Sequence, residues 1–289
     1  MNEVEKQENE KRVSITRVTG DGRQQRDDLV AVEEPLEIRV VFGPREKRRS
    51  KSLSITMRTP GSDFELASGF LLSENIVSHP EQVISFEHVG PVPEGGDHGN
   101  TLSVELGFDV PVEIERLQRH FYTTSSCGIC GRASLDAVRN QGVERLEDPL
   151  IVDSGVVFQL PERLRKQQNV FDRTGGLHAA GLANERGAFI AIREDVGRHN
   201  AVDKLIGSQM IGADTAKFEF PLSGRILVVS GRASFELMQK ALMAKIPMLV
   251  AVGAPSSLAI ELAEEFNMIL IGFTSNERFN IYAGEERVQ

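Results

Sequence analysis

Three short, wholly apolar runs recur about twenty residues apart in the last third of this chain: Ile226-Leu227-Val228-Val229, Met248-Leu249-Val250-Ala251-Val252 and Met268-Ile269-Leu270-Ile271. Between them lie two amphipathic patterns. Phe235, Met238 and Leu242 fall at i, i+3, i+7, and Leu258, Leu262 and Phe266 at i, i+4, i+8, which gathers apolar side chains on one helical face. A strand with no polar face must be covered on both sides, so this rhythm predicts a parallel sheet between layers of helix. Ala188 to Arg193 reads as a further strand, and Asn200 to Ile206 starts another helix. The chain is therefore expected to be an α/β protein. Its 289 residues, 40% of them hydrophobic, suffice for one large domain or two moderate ones. We read two lobes, the second spanning residues 171–289.

The first half reads differently. Residues 1–27 are charged and lack apolar periodicity, which predicts a flexible tail with at most an edge strand. Residues 28–120 form a β-rich lobe: Leu29, Val30, Val32, Leu36, Ile38, Val40 and Val41 predict strands broken at Pro35, and Leu53, Ile55 and Met57 alternate with polar residues. Pro60-Gly61-Ser62-Asp63-Phe64-Glu65 marks a turn entering a helix, with Ser62 and Glu65 at capping-box spacing. Val83–Val89 and Thr101–Leu106 predict two more strands around a Gly/Pro-rich loop. Residues 121–170 hold a cysteine loop and a connecting segment.

Several function classes are disfavoured. A net charge of −9 argues against a general nucleic-acid surface; the basic cluster Arg45-Glu46-Lys47-Arg48-Arg49-Ser50-Lys51 reads first as a solvated loop. Tryptophan is absent and aromatics make up 6%, leaving little for base stacking on single strands. No run approaches the roughly 18 apolar residues of a membrane span, and the charged first dozen residues do not resemble a signal peptide. With only two cysteines, no framework of bridges is expected. The expectation is a soluble cytoplasmic protein.

In an open α/β sheet, ligands bind beyond the carboxyl ends of the strands. Here those ends read Ser230-Gly231-Arg232-Ala233-Ser234, Gly253-Ala254-Pro255-Ser256-Ser257 and Gly272-Phe273-Thr274-Ser275-Asn276-Glu277-Arg278. Any one is ordinary turn chemistry, but three such loops on one rim, two carrying Arg, favour a phosphate-bearing ligand. Two further segments are unusually polar. Phe171-Asp172-Arg173-Thr174-Gly175-Gly176-Leu177-His178-Ala179-Ala180 places a double glycine before a His and a short helix, and Glu194-Asp195-Val196-Gly197-Arg198-His199-Asn200 joins a strand to a helix. For the second, packing and function stand about even.

The two cysteines stand together as Cys127-Gly128-Ile129-Cys130, ahead of a helical pattern and beside Arg132. A helix N-terminus and a fixed positive charge both favour a thiolate. Structural zinc would need two more ligands from His120, His178 or His199, without compact spacing. A zinc deaminase would need His-x-Glu followed by Pro-Cys-x-x-Cys, and no Pro stands before Cys127. A thioredoxin-like exchanger places its pair after an early strand of a much shorter chain. A persulfide carrier, in which a thiolate accepts sulfane sulfur and the second cysteine helps release it, fits a neighbouring phosphate-ligand pocket best.

Taken together, Glu34-Pro35-Leu36-Glu37-Ile38-Arg39, Met57-Arg58-Thr59-Pro60-Gly61, Ser126-Cys127-Gly128-Ile129-Cys130-Gly131, Thr174 to Ala180, Glu194 to Lys204, Ser230-Gly231-Arg232, Gln239-Lys240-Ala241 and Ala254 to Ala259 resemble the formate dehydrogenase accessory sulfurtransferases, the FdhD/NarQ family. The resemblance spans residues 30–282. It implies a sulfurtransferase that takes persulfide sulfur from a cysteine desulfurase. The sulfur passes to the bis(molybdopterin guanine dinucleotide) molybdenum cofactor, bound as substrate, for insertion into the formate dehydrogenase apoenzyme. Cys127 would carry the persulfide with Cys130 assisting, and the family's cofactor-binding segment maps onto Phe273, Thr274, Ser275, Asn276, Glu277 and Arg278. It also implies a cytidine-deaminase-like, three-layer C-terminal lobe. There His199 and Ser230, Gly231 and Arg232 to Ser234 stand where a deaminase holds zinc; no metal is expected here, and the place is read as an anion and guanine pocket. Basic candidates for that pocket are Arg173, Arg198, Arg232, Lys240 and Arg278. A homodimer would pair two pockets with the two guanine ends of one cofactor. The alternatives are a cofactor chaperone whose cysteines only contact the donor, and a thiol–disulfide oxidoreductase.

Overall fold

The computed structural model describes residues 9–93, 97–112, 135–136, 138–139, 142–211 and 220–289. Cys127, Cys130 and Arg132 lie outside the described residues.

The described residues open, where a tail was expected over 1–27, with an antiparallel hairpin of β1 (Glu10–Thr19) and β2 (Gly22–Ala31). Thr19 pairs with Gly22 around a two-residue turn, Gly20-Asp21, and Gly22 takes a φ of 130°, a value open to glycine at little cost. The hairpin carries no strong apolar signal because neither face is deeply buried. Its ladder is made by the backbone, which composition does not report.

Next come β3 (Glu34–Phe42), β4 (Arg49–Arg58), α1 (Asp63–Ser73), β5 (Val83–Val89) and β6 (Thr101–Leu106). They form a four-stranded sheet in the order β4-β3-β6-β5, with β3 and β6 parallel. Pro35 does not break β3. It precedes Glu37, the first residue paired with β6, so its missing N–H disturbs no ladder there. The alternation of Leu53, Ile55 and Met57 does not hold one face: Leu53 is buried, whereas Ile55 is 70% and Met57 46% exposed. A register shift in the β3–β4 ladder between Ile38 and Arg39 reverses the parity of β4, turning Thr56 and Arg58 inward. The capping box at Ser62 does not form either. Ser62 adopts φ 56° and its side chain caps nothing, while Glu65 pairs with Arg193.

The remainder runs α2 (Ser154–Arg165), α3 (Asn169–Thr174), β7 (His178–Ala183), β8 (Phe189–Asp195), α4 (Arg198–Met210), β9 (Ile226–Val229), α5 (Phe235–Met243), β10 (Met248–Ala251), α6 (Ser257–Glu265), β11 (Ile269–Gly272) and β12 (Asn280–Ala283). Its six strands lie in the order β12-β11-β10-β9-β7-β8, and β9, β10 and β11 are parallel. Successive strand residues separate cleanly. Ile226, Val228, Met248, Val250, Ile269 and Ile271 pack with Val157, Leu160 and Leu164 of α2, while Leu227, Val229, Leu249, Ala251 and Leu270 face the opposite core. The α/β class expected from the apolar runs is the class observed. His178 begins a strand, not a short helix: β7 pairs with β8 on one side and β9 on the other, a position that accepts the small apolar run after it.

One hydrophobic core joins the two sheets. It runs from Leu36, Ile38 and Val104 through Leu66 and Leu71 of α1 to Val202, Leu205 and Ile206 of α4 and on to Leu227. At the α1–α4 crossing the backbones nearly touch. A Cβ on Gly69 would stand 1.9 Å from the Asp203 carbonyl oxygen, and one on Gly207 1.8 Å from that of Glu65. Only glycine fits either position. Among the described residues, no helix is long and apolar enough to cross a membrane.

Candidate active site

Part of the polar sequence is consumed by the fold itself. Asp195 is fully buried at the end of β8. It accepts hydrogen bonds from the Thr59 and Gly197 backbone N–H groups at 3.1 and 2.8 Å and from Asn200 Nδ2 at 3.0 Å. Lys204 Nζ lies 2.7 Å from it and also donates to the Thr59 carbonyl at 2.7 Å. One residue earlier on α4, Asp203 accepts from Lys240 Nζ at 2.7 and 2.8 Å and from Ser73 Oγ at 2.9 Å. Burial pushes the Asp203 carboxyl up, against the pull of the Lys240 ammonium. These bonds tie α4 to α1, α5 and the end of β4. Lys240 is therefore unavailable to a ligand, and Arg173 is paired with Glu10 of the hairpin.

The carboxyl ends of β9, β10 and β11 open onto a crevice of about 910 Å³. Ser230, Val252, Thr274, Ser275 and Asn276 line it from the sheet. Glu162, Arg165 and Lys166 at the end of α2, Phe171 of α3, and Gly175, Gly176 and His178 close its other sides. The loop after β11 is held rigidly. The Phe273 N–H donates to the Gly253 carbonyl at 3.0 Å and the Thr274 N–H to that of Ala251 at 3.2 Å. The Ser275 hydroxyl accepts from the Glu277 and Arg278 N–H groups at 3.3 and 3.2 Å. Ser230 secures the start of β7, its Oγ accepting from the Ala179 N–H at 2.9 Å.

One atom in this crevice lacks a partner. Thr274 is only 3% exposed, and its buried Oγ1 makes no hydrogen bond. Leaving such a group unpaired costs about 1–3 kcal/mol. The basic groups beside it are anchored: the Arg165 guanidinium lies 4.6 Å from the Phe171 ring centroid and pairs with Asp172. Burial, then the nearby Arg198 charge, lowers the His178 pKa, so its imidazole is neutral near pH 7.

Of the residues expected at the site, the crevice brings together Ser230, Thr274, Ser275 and Asn276. Phe273 is 46% exposed; it, Glu277 and Arg278 stand on the same loop outside the lining. Gly231 lies against His178, whose Nδ1 would be 3.5 Å from an added Cβ, and Arg232 is exposed beside Gly253. His199 sits at the start of α4, its Nε2 buried without a hydrogen bond and 4.0 Å from Glu236 Oε2. Burial and the Lys240 and Arg198 charges push its pKa down to about 4. Arg198 Nε is likewise buried and unpartnered. Among the described residues, no group of three His, Cys, Asp or Glu side chains is placed to hold a metal ion. Sequence reasoning missed Glu162, Arg165 and Lys166, having assigned 121–170 to a loop and connector. The signal was there in Val157, Leu160 and Leu164 at helical spacing, followed by basic residues.

The family model for the FdhD/NarQ family matches residues 31–289. "Sulfur carrier protein FdhD" of Streptomyces coelicolor is 47% identical over 280 residues, covering 96% of this chain and 95% of that protein. The protein of the same name from Mycobacterium tuberculosis is 48% identical over 270 residues, covering 91% and 92%. Its archaeal counterpart from Saccharolobus solfataricus is 39% identical over 278 residues, covering 96% and 98%. A crystal structure from Desulfotalea psychrophila, described as a formate dehydrogenase accessory protein, superposes with a TM-score of 0.69 at 21% identity, covering 97% of this chain and 99% of that one; at that identity the likeness speaks to fold alone. Matched nearly end to end by the family model and by relatives of this similarity, the chain belongs to the FdhD/NarQ family.

Proposed function

We propose that this protein is a sulfur carrier serving formate dehydrogenase maturation in the cytoplasm, and that the crevice at the sheet end holds its acceptor, the bis(molybdopterin guanine dinucleotide) molybdenum cofactor, as substrate. The observation that carries the second part is Thr274: a buried, unpartnered hydroxyl in a crevice also lined by Arg165 and Lys166. Those two cations suit the diphosphate of a dinucleotide, and Phe171 gives a base an aromatic surface. Ser275 and Asn276 complete the wall.

In this reading the Cys127 thiolate attacks the outer sulfur of a persulfide on a cysteine desulfurase. That forms Cys127–S–SH and releases the donor's cysteine thiolate. Delivery to the metal as sulfide requires two electrons. The Cys130 thiolate supplies them by attacking the Cys127 sulfur, which expels hydrosulfide and leaves a Cys127–Cys130 disulfide for a cellular dithiol to reduce.

Intact mass spectrometry after incubation with a cysteine desulfurase and free cysteine tests the carrier. Wild type should gain one sulfur atom, reversibly with reductant, and Cys127→Ala should gain none. No gain in wild type, with both thiols open to alkylation, would replace the carrier with a cofactor-binding chaperone.

A further inference from the structure

The basic run at residues 45–51 has no part in the crevice, whose lining contains none of it. It forms the tip of the β3–β4 hairpin, where Arg45, Lys47, Arg48, Arg49 and Lys51 accompany a single carboxylate, Glu46. In place of a solvated loop, the structure shows a built one. Gly43 turns the chain at φ 98°, where a Cβ would stand 3.0 Å from the Lys47 carbonyl oxygen. The Lys47 N–H donates to the Pro44 carbonyl at 2.9 Å. Arg48 then fastens the tip to the sheet. Its guanidinium donates to the Gly43, Val41 and Leu106 carbonyls at 2.6, 3.1 and 2.6 Å and to Glu105 Oε1 at 3.1 Å. It also lies 5.0 Å from the Phe108 ring centroid, and only 17% of its side chain is exposed.

The other four cations have no such role. Arg45, Lys47 and Arg49 are exposed and Lys51 is half-buried, and among the described residues no acid pairs with them. A chain of net charge −9 has carboxylates to spare, yet this tip keeps its like charges together and unpaired on a rigid base. A rigid base lowers the ordering cost of association, and clustered cations suit a carboxylate-rich protein surface. The overall negative charge opposes a nucleic acid in that place.

We propose that the β3–β4 tip docks an acidic surface of the sulfur donor protein. The inference rests on the carrier reading above. Donor and acceptor enzymes must meet the carrier at different places. An apoenzyme that takes the cofactor has to face the crevice, whereas the tip belongs to the other sheet. The donor has to face the cysteines, and Arg48 is fastened to the end of β6, the described strand that precedes Cys127 in the chain. Each turnover needs a fresh encounter with the donor, so rapid association matters more than tight binding. Exposed, unpaired cations supply that by electrostatic steering.

Association of the full chain with a purified cysteine desulfurase, followed by stopped flow over a salt series, tests this. Arg45→Glu/Lys47→Glu/Arg49→Glu should slow association at least about tenfold at low salt, and the gap should close at high salt. Its sulfur gain should need more desulfurase to reach the wild-type level but should still reach it. Arg17→Glu/Arg23→Glu/Arg26→Glu makes an equal change of charge on the exposed β1–β2 hairpin and should alter association by about twofold or less. All six side chains are exposed, and thermal melting confirms that both variants are folded. Equal slowing by the two variants, or none by the first, overturns the inference and leaves the carrier standing. So does a defect confined to binding of the formate dehydrogenase apoenzyme. A wild type that gains no sulfur from the desulfurase overturns both.

Discussion

The α4 anchor and the sheet-end crevice are built from the same kinds of residue, yet they are opposites. At the anchor, Asp195, Asn200, Asp203, Lys204 and Lys240 find their partners within the chain. At the crevice, Thr274 Oγ1 finds none, and at the start of α4 Arg198 Nε and His199 Nε2 are also buried and unpaired. A polar motif is structural when the fold satisfies it and a ligand site when the fold leaves it open. Composition is silent on which applies.

That contrast can be broken from the anchor side first. Removing one member of a fully buried pair strands the other charge, so Asp203→Ala or Lys240→Ala should cost about 3–5 kcal/mol, read by denaturant unfolding. Replacing both by apolar residues of similar size should recover most of it. Gly207→Ala, which drives a methyl group into the Glu65 carbonyl, should cost about 1–3 kcal/mol and lower the melting temperature without touching the crevice. From the crevice side, Thr274→Val removes a hydroxyl with no partner, so stability should hold or rise. GDP binding should weaken about two- to tenfold. A loss of stability in that variant would mean the hydroxyl already serves the fold.

A further test is a pH dependence. The folded-state pKa of His199, about 4, lies below the unfolded value of about 6.5. Between those limits the unfolded chain binds more protons, so this residue's contribution is complete above about pH 6.5 and is lost as pH falls toward 4. His199→Gln should flatten that part of the stability–pH curve. An unchanged slope would place the titration elsewhere.

Much of the C-terminal sheet was legible because its strands are buried on both faces, and short unbroken apolar runs spaced by helical patterns suit little besides such strands. Less was legible where backbone geometry decides. The parity of β4 depends on a register shift opposite Ile38 and Arg39, which no pattern in Leu53, Ile55 and Met57 foretells. The hairpin of β1 and β2 is held by main-chain pairing. At the site, the strand-end rule found Ser230 and the loop after β11, since position in a sheet is a topological fact. It could not find Glu162, Arg165 or Lys166, which reach the crevice only through the docking of α2 on the opposite face. Nor could it foresee that Lys240 is consumed by Asp203.

The glycine crossing of α1 and α4 has a mechanical consequence. With main chains in contact at Gly69 and Gly207 and a common core on either side, the two sheets cannot swing apart like the jaws of a clamp without breaking that seam. The frame behaves as a fixed mount. Any opening or closing at the crevice then falls to the loops that line it.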